Sequence, residues 1–284
     1  MSGADLSMRA GRIRGLSRTG FHWMAYVAWG WPNDLPPVVC VHGLTRNGRD
    51  FDRLAAALAP DRHVICPDVV GRGVSDWLRD PAGYGTAQYS ADLTALIAHL
   101  GVEQVDWVGT SMGGLIGMAI AAQPGTPIRR LVLNDIGPFV PRQALERLSS
   151  YVGKDPSFAD LAELEAYLRQ VNSAIGTLDT EAWRHFARFA QRHLPDGRLG
   201  LAYDPAIIRN FATPPVDVDL TDLWNAIACP VLVLRGAQSD LLLAETARAM
   251  SAKAEVIEFP GIGHWPPLMT PEQIEPVRAW LMRP

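Results

Sequence analysis

Residues 109–113 read Gly-Thr-Ser-Met-Gly and place Ser111 between two glycines. The pentapeptide directly follows an apolar run at 105–108 that predicts a strand, and it opens an apolar run at 112–122 that predicts a buried helix. A serine in such a strand–turn–helix setting presents its hydroxyl above the sheet. The N-terminus of the following helix favours negative charge that develops beside it. The pattern therefore predicts that Ser111 is a nucleophile.

The elements around this turn alternate between short apolar strands and helical segments. Strands are predicted at 21–29, 38–41, 63–66, 105–108, 131–133, 231–234 and 255–259. Apolar residues at helical spacing lie between most of these runs, which is typical of a mostly parallel sheet covered on both faces. The alternation stops at Gly137, and only helical patterns follow as far as Pro215. We therefore predict a core of residues 1–137 and 216–284, with a helical cap inserted at 138–215. An insertion at the carboxyl edge of a parallel sheet lies where ligands bind.

Four further segments resemble motifs of the α/β-hydrolase superfamily, and the resemblance covers essentially the whole chain. They are HGL at 42–44, DVVGRGVSD at 68–76, RGAQSD at 235–240 and GIGHWP at 261–266. Together with the GTSMGG turn at 109–114, they are most similar to those of capped esterases and lactonases. The resemblance implies an α/β-hydrolase fold, with a mostly parallel eight-stranded sheet flanked by helices and an inserted helical cap.

The same resemblance implies a catalytic triad in the order Ser111, Asp240, His264. Serine is a poor nucleophile at its own pKa, so His264 would take its proton on attack and return it to the leaving group. Asp240 would fix the histidine tautomer. Asp135 also follows a predicted strand end and is the alternative acid, because some superfamily members place the acid there. Chain context favours Asp240.

The backbone N–H groups of Leu44 and Met112 are the predicted oxyanion hole, by resemblance to the turns that supply it. His42 adjoins that turn and is expected to pack or form hydrogen bonds there rather than to act in catalysis. Aromatic residues of the cap suggest an apolar pocket roof, although most of them are expected simply to pack the cap onto the core. The candidate pocket residues are His42, Arg46, Asp135, Trp183, Phe186 and Trp265.

The expected reaction is acyl transfer to water, in which an ester, thioester or lactone of a small to medium apolar acyl group is attacked and an acyl-enzyme is hydrolysed. A serine at the nucleophile position argues against relatives that use an aspartate. Cleavage of a carbon–carbon bond in ring-fission products, for which Arg46 or a cap arginine could bind the substrate carboxylate, and cofactor-free perhydrolysis stay open. A non-catalytic ligand receptor on the same fold is the alternative from another class.

Composition excludes several other classes. The 284 residues are 48% hydrophobic and 20% charged with a formal net charge of -4, which gives no basic surface for nucleic acid or an anionic membrane. No histidine pair has metal-ligand spacing, and no cofactor is implied. Residues 1–15 lack the apolar segment of a signal peptide. Cys40, Cys66 and Cys229 lack CxxC spacing and are predicted to be free thiols, which favours the cytoplasm. The sequence leaves the oligomeric state open.

Overall fold

A computed structural model describes residues 8–211 and 213–284 of the chain. Residues 1–7 belong to the stretch in which no signal peptide is predicted, and they lie outside the described residues. The predicted cap range 138–215 contains one residue, 212, that also lies outside them.

The strands follow the chain as β1 (Arg9–Ser17), β2 (Gly20–Trp29), β3 (Val38–Val41), β4 (Val64–Pro67), β5 (Val105–Thr110), β6 (Ile128–Asn134), β7 (Phe139–Val140), β8 (Ser157–Phe158), β9 (Gln191–His193), β10 (Leu199–Leu201), β11 (Val218–Asp219), β12 (Val231–Gly236) and β13 (Glu255–Phe259). The α-helices are α1 (Asp52–Leu58), α2 (Thr86–His99), α3 (Met112–Ala121), α4 (Arg142–Ser149), α5 (Leu161–Val171), α6 (Thr180–Ala190), α7 (Thr221–Ala226), α8 (Ala244–Met250) and α9 (Pro271–Leu281). Short 3-10 helices cover Gly48–Phe51, Pro81–Gly83 and Pro205–Asn210.

Within the described residues, eight strands form the main sheet in the order β1-β2-β4-β3-β5-β6-β12-β13. The pairings β1–β2 and β2–β4 are antiparallel, and every later pairing across the sheet is parallel. This confirms the predicted mostly parallel, eight-stranded α/β sheet. The strand β1 was not among the strands predicted from the sequence. Its alternating buried and exposed residues are typical of a strand at the edge of a sheet.

The central strands are buried on both faces, which explains why their sequences are continuous apolar runs. Successive side chains of β3 alternate between two separate apolar clusters, because neighbouring residues of a strand point to opposite faces. One cluster includes Leu93 of α2 and Ile116 of α3, and the other includes Leu54 of α1 and Trp280 of α9. Helices therefore cover the sheet on both sides, and the carboxyl ends of its parallel strands lie at one edge between them.

The insertion between β6 and β12 contains helices α4, α5 and α6 but is not purely helical. The prediction of only helical structure there is wrong, because β8, β10 and β9 form a small antiparallel sheet. A second pair, β7 with β11, joins the two ends of the insertion through Val140 opposite Val218. Val140 lies inside the predicted cap range 138–215, and Val218 lies in the second part of the predicted core, 1–137 and 216–284.

The predicted free cysteines are found as free thiols. Cys40 and Cys66 are buried in β3 and β4, and Cys229 is half-buried just before β12. Along the described residues, no helix is both long and apolar enough to cross a membrane.

Candidate active site

The turn between β5 and α3 holds Ser111 in a strained backbone conformation, with φ 50° and ψ −112°. Such a conformation is costly for a residue with a side chain and persists only when its surroundings fix it. The Ser111 N–H donates to the carbonyl of Asn134 at 2.9 Å, which ties the turn to the end of β6. The Ser111 carbonyl accepts from Gly114 and Leu115 in the first turn of α3. The strand before the turn and the helix after it thus hold the serine in place.

The glycines that flank the serine are required by close packing. A Cβ atom on Gly113 would lie 2.0 Å from the carbonyl oxygen of Val41, and one on Gly109 would lie 2.4 Å from the carbonyl carbon of Gly113. Both obstacles are backbone atoms, which cannot rotate away. The glycine pattern in the sequence therefore reflects the close approach of α3 to β3 and β5.

His264 lies in the loop after β13 and reaches both Ser111 and a carboxylate. Its Nε2 atom lies 3.1 Å from Ser111 Oγ, and its Nδ1 atom lies 2.6 Å from Oδ2 of Asp135. The side chain of His264 is 6% exposed and that of Asp135 is fully buried. The three side chains form one continuous hydrogen-bonded chain from the strand ends of β5, β6 and β13.

Asp135 follows β6 directly and is held by two groups besides the histidine. Its Oδ1 accepts from the Gly236 N–H at 2.8 Å, and its Oδ2 accepts from the Ser239 hydroxyl at 2.6 Å. The Ser239 hydroxyl in turn accepts from the N–H groups of Leu241 and Leu242. Hydrogen bonds of this kind fix the orientation of the carboxylate. Sequence reasoning missed Ser239, although it precedes Asp240 in the quoted RGAQSD segment.

The prediction that Asp240 orients the histidine is wrong. Asp240 forms a two-pronged ion pair with Arg147 of α4, with Arg147 Nε 2.5 Å from Oδ2 and Nη2 2.9 Å from Oδ1. Its side chain is 47% exposed and makes no hydrogen bond with His264. The strands β6 and β12 are parallel neighbours, so their carboxyl ends lie at the same edge of the sheet. Asp135 lies directly at its strand end, whereas Asp240 lies four residues beyond Gly236 and pairs with Arg147 of α4.

The two predicted oxyanion donors lie in different turns, with Leu44 after β3 and Met112 at the start of α3. Neither the Leu44 nor the Met112 N–H donates to another group in the part of the chain that the structure describes. The carbonyl of Leu44 accepts from Nε of Arg72 at 2.9 Å, and Arg72 is itself fully buried. A buried arginine on the carbonyl of that turn fixes the orientation of the neighbouring peptide groups. The sequence signal for this arginine is its place in the DVVGRGVSD segment.

His42 fixes the same turn and is electrically neutral. Burial lowers the pKa of His42 to about 3. Its Nε2 accepts from the Val69 N–H at 2.9 Å, so its Nδ1 carries the proton and donates to the Gly43 carbonyl at 2.7 Å. His42 therefore belongs to the scaffold of the turn, as the sequence led us to expect, and it does not line the cavities described below.

Comparisons with known proteins identify the family of the chain. The family model described as alpha/beta hydrolase fold matches residues 36–269. A 3-hydroxybutyrate-oligomer hydrolase of Cupriavidus necator is 45% identical over 280 residues, covering 94% of this chain and 96% of its own. The chain belongs to the α/β-hydrolase fold family. A solved α/β hydrolase of Novosphingobium aromaticivorans is 37% identical with a TM-score of 0.86, covering 96% of this chain and 98% of that one. A 2-hydroxymuconate semialdehyde hydrolase of Pseudomonas sp. is 30% identical, covering 73% of this chain and 72% of its own.

This α/β hydrolase has a cavity of about 380 Å³ beside Ser111. Most of its lining is aliphatic or aromatic, and it includes residues of α3, of the insertion between β6 and β12, and of the loop after β12. The lining residues are Leu44, Tyr84, Gly85, Thr86, Tyr89, Ser111, Met112, Leu115, Ile136, Val140, Leu145, Leu148, Ile207, Phe211, Val216, Val218 and Leu241. We call it the large cavity.

A second, smaller space of about 30 Å³ also adjoins Ser111 and is lined by His264. Its lining is more polar, and we call it the small compartment. The lining residues are Gly43, Leu44, Thr45, Arg46, Ser111, Leu148, Tyr151, Val152, Asn172, His264 and Trp265. Leu148 of α4 lines both spaces, as do Leu44 and Ser111. The serine therefore adjoins an apolar compartment and a more polar one.

Of the candidate pocket residues, Arg46 and Trp265 line the small compartment. Trp183 and Phe186 lie buried in α6 and line neither space, which agrees with the expectation that most cap aromatics serve packing. Phe186 stacks under the Arg46 guanidinium, with 4.4 Å from Cζ to the ring centroid. Among the described residues there is no cluster of histidine, cysteine and acidic side chains that could hold a metal ion.

Proposed function

We propose that this protein is a serine hydrolase of carboxylic esters, with Ser111 as nucleophile, His264 as general base and acid, and Asp135 as the orienting carboxylate. The observation that carries the proposal is the hydrogen-bonded chain from Ser111 Oγ through both nitrogens of His264 to the buried carboxylate of Asp135. A hydroxyl, an imidazole and a carboxylate in this order form the arrangement that activates a serine.

In the first half of the reaction, Ser111 Oγ bonds to the ester carbonyl carbon while its proton moves to Nε2 of His264. The carbonyl oxygen becomes an oxyanion, which the N–H groups of Leu44 and Met112 bind. The bond from carbon to the alcohol oxygen then breaks, and His264 gives its proton to the departing alcohol. An acyl-enzyme on Ser111 remains.

Water completes the reaction. His264 takes a proton from the water while the water oxygen attacks the acyl carbon, and the same proton returns to Ser111 Oγ as the acid leaves. Asp135 keeps the Nδ1 proton of His264 in place through both halves and stabilises the imidazolium. No further reactant is needed for the balance of atoms.

The substrate class follows from the large cavity and from the relatives. A cavity of about 380 Å³ with an apolar lining suits an acyl chain of small to medium size. The relative from Cupriavidus necator is a 3-hydroxybutyrate-oligomer hydrolase and is 45% identical over nearly its full length. We propose short oligomers of 3-hydroxybutyrate as the substrate, since they combine ester bonds with small, largely apolar units.

The test is hydrolysis of p-nitrophenyl esters from acetate to dodecanoate and of the linear 3-hydroxybutyrate trimer, by the wild type and by Ser111→Ala. We expect short and medium esters and the trimer to be hydrolysed, and we expect Ser111→Ala to reduce each rate at least about 10³-fold. Folded wild-type protein that leaves every ester intact would refute the proposal. Carbon–carbon ring-fission substrates would then be tried, because the relative from Pseudomonas sp. is named as a hydrolase of 2-hydroxymuconate semialdehyde.

A further inference from the structure

The position of His264 indicates which part of an ester each of the two spaces beside Ser111 receives. His264 lines the small compartment but not the large cavity. In ester cleavage the histidine protonates the oxygen of the departing alcohol, so the alcohol portion must lie on the histidine side. The acyl portion then extends into the large cavity. This assignment rests on the proposed function.

The small compartment has room only for a short alcohol. Its volume is about 30 Å³, and a further space of about 20 Å³ continues from it toward the cap. The two spaces share Thr45, Arg46, Tyr151 and Asn172. A water-sized group needs roughly 10–15 Å³ measured in this way, so the compartment and its continuation admit only a few such groups. A long alkyl alcohol has no room here.

The shared residues are polar and include one cation that has a free donor. Nε and Nη2 of Arg46 donate to Asp50, at 2.8 and 2.6 Å, whereas Nη1 donates to no group in residues 8–211 or 213–284. The Arg46 side chain is 6% exposed, so it is held in a fixed position by Asp50 and by the ring of Phe186. A nearly buried guanidinium with a free N–H suits a carboxylate oxygen.

We propose that the small compartment binds the carboxylate-bearing leaving group of the ester, a short hydroxy acid whose carboxylate meets Nη1 of Arg46. The hydroxy acid departs through its hydroxyl oxygen, which receives the proton from His264. The enzyme therefore shortens an oligomer from its carboxyl end and releases one free hydroxy acid in each cycle, while the remaining chain occupies the large cavity as the acyl group. Thr45 and Asn172 supply further polar contacts at the wall of the compartment.

The first experiment uses the wild-type protein and the linear trimer of 3-hydroxybutyrate with ¹³C in its carboxyl-terminal unit. Cleavage from the carboxyl end gives labelled monomer and unlabelled dimer as first products. Cleavage from the hydroxyl end gives unlabelled monomer and labelled dimer. The same trimer as its methyl ester removes the charge. We expect labelled monomer first, and kcat/KM for the free acid about tenfold or more above that for the methyl ester.

The variant Arg46→Met tests the residue, and Arg49→Met is its matched control. Arg49 also pairs with an aspartate, Asp52, and stacks on a cap phenylalanine, but it lines neither space. We expect Arg46→Met to bring the free-acid and methyl-ester rates within about twofold of each other. Arg49→Met should leave the wild-type preference unchanged. If Arg46→Met does not fold, Asn172→Leu in the same wall should lower the preference.

Equal rates for the free acid and the methyl ester, or labelled dimer as a first product, would overturn the inference while leaving the esterase proposal intact. A preference that survives Arg46→Met in folded protein would equally overturn it. If instead neither the p-nitrophenyl esters nor the trimers are hydrolysed, the proposed function itself fails and takes this inference with it.

Discussion

Two matched variants, Asp135→Asn and Asp240→Asn, test which aspartate orients His264. In Asp135→Asn, an amide replaces a fully buried carboxylate that lies 2.6 Å from His264 Nδ1. Asparagine offers one acceptor oxygen where the carboxylate offers two, and Oδ1 and Oδ2 together accept from Gly236, Ser239 and His264. When the single amide oxygen accepts from the Gly236 N–H, the amide NH₂ faces Nδ1 of His264. It then favours the tautomer of His264 that carries its proton on Nε2. That tautomer cannot accept the serine proton.

We expect kcat for p-nitrophenyl butyrate to fall about 10³–10⁴-fold in Asp135→Asn, as in other triads with this change. That loss corresponds to about 4–5.5 kcal/mol of transition-state stabilisation. In Asp240→Asn the change affects an ion pair whose side chains are 38% and 47% exposed. Exposed pairs contribute roughly 0.2–1 kcal/mol, so kcat/KM should change by less than about fivefold.

The assay measures kcat and kcat/KM of both variants beside the wild type, with circular dichroism and the urea midpoint as controls for folding. The reasoning fails if folded Asp135→Asn keeps more than about a tenth of the wild-type kcat. It fails equally if Asp240→Asn loses activity to the extent of a triad variant. Either result would indicate that Asp240 is the acid, as chain context favoured.

Three further changes probe the scaffold of the site. Gly113→Ala should lower the free energy of unfolding by about 2 kcal/mol or more, because its Cβ would lie 2.0 Å from the Val41 carbonyl oxygen. An unchanged urea midpoint would contradict this packing. Ser239→Ala removes a hydrogen bond to Asp135 and should lower kcat about tenfold with little change in KM. An unchanged kcat in steady-state assays would show that Ser239 does not position Asp135. Burial lowers the pKa of His42 to about 3, whereas the unfolded value is about 6.5. The stability that depends on neutral His42 is therefore complete above pH 6.5 and is lost as the pH falls toward 3. Between pH 6.5 and 5 the wild type should lose about 1.6 kcal/mol of unfolding free energy relative to His42→Gln in urea unfolding, and parallel curves for the two proteins would contradict the assignment.

The sheet and two of the three site residues could be predicted because their signals are local. Ser111 lies in a strand–turn–helix pattern, and His264 lies in a motif that follows a strand. The acid could not be predicted in the same way. Both Asp135 and Asp240 follow strands that are neighbours in the sheet, so both reach the same edge. The choice depends on Arg147, which lies 93 residues from Asp240 along the chain and draws that carboxylate outward.

The insertion between β6 and β12 could not be predicted for a different reason. Its strands β7 to β11 are two or three residues long, which is too short for alternating polarity to be recognised. Some of their pairing partners lie far away in the chain, as with Val140 and Val218. Both compartments beside Ser111 are partly lined by residues of this insertion such as Leu148, so their size and polarity also depend on contacts that no local pattern contains.

The pairing of β7 with β11 has a consequence for engineering. It brings the chain entering the insertion beside the chain leaving it, with Phe139 opposite Asp219, so the two covalent connections of the insertion to the core lie side by side. All three members of the proposed triad lie outside the insertion between these two strands, and Asp135 comes only four residues before Phe139. A foreign insertion joined at these two points would therefore meet an intact serine, histidine and carboxylate. Such an exchange is a route to new substrate ranges, provided that the graft keeps Asp135 and Ile136.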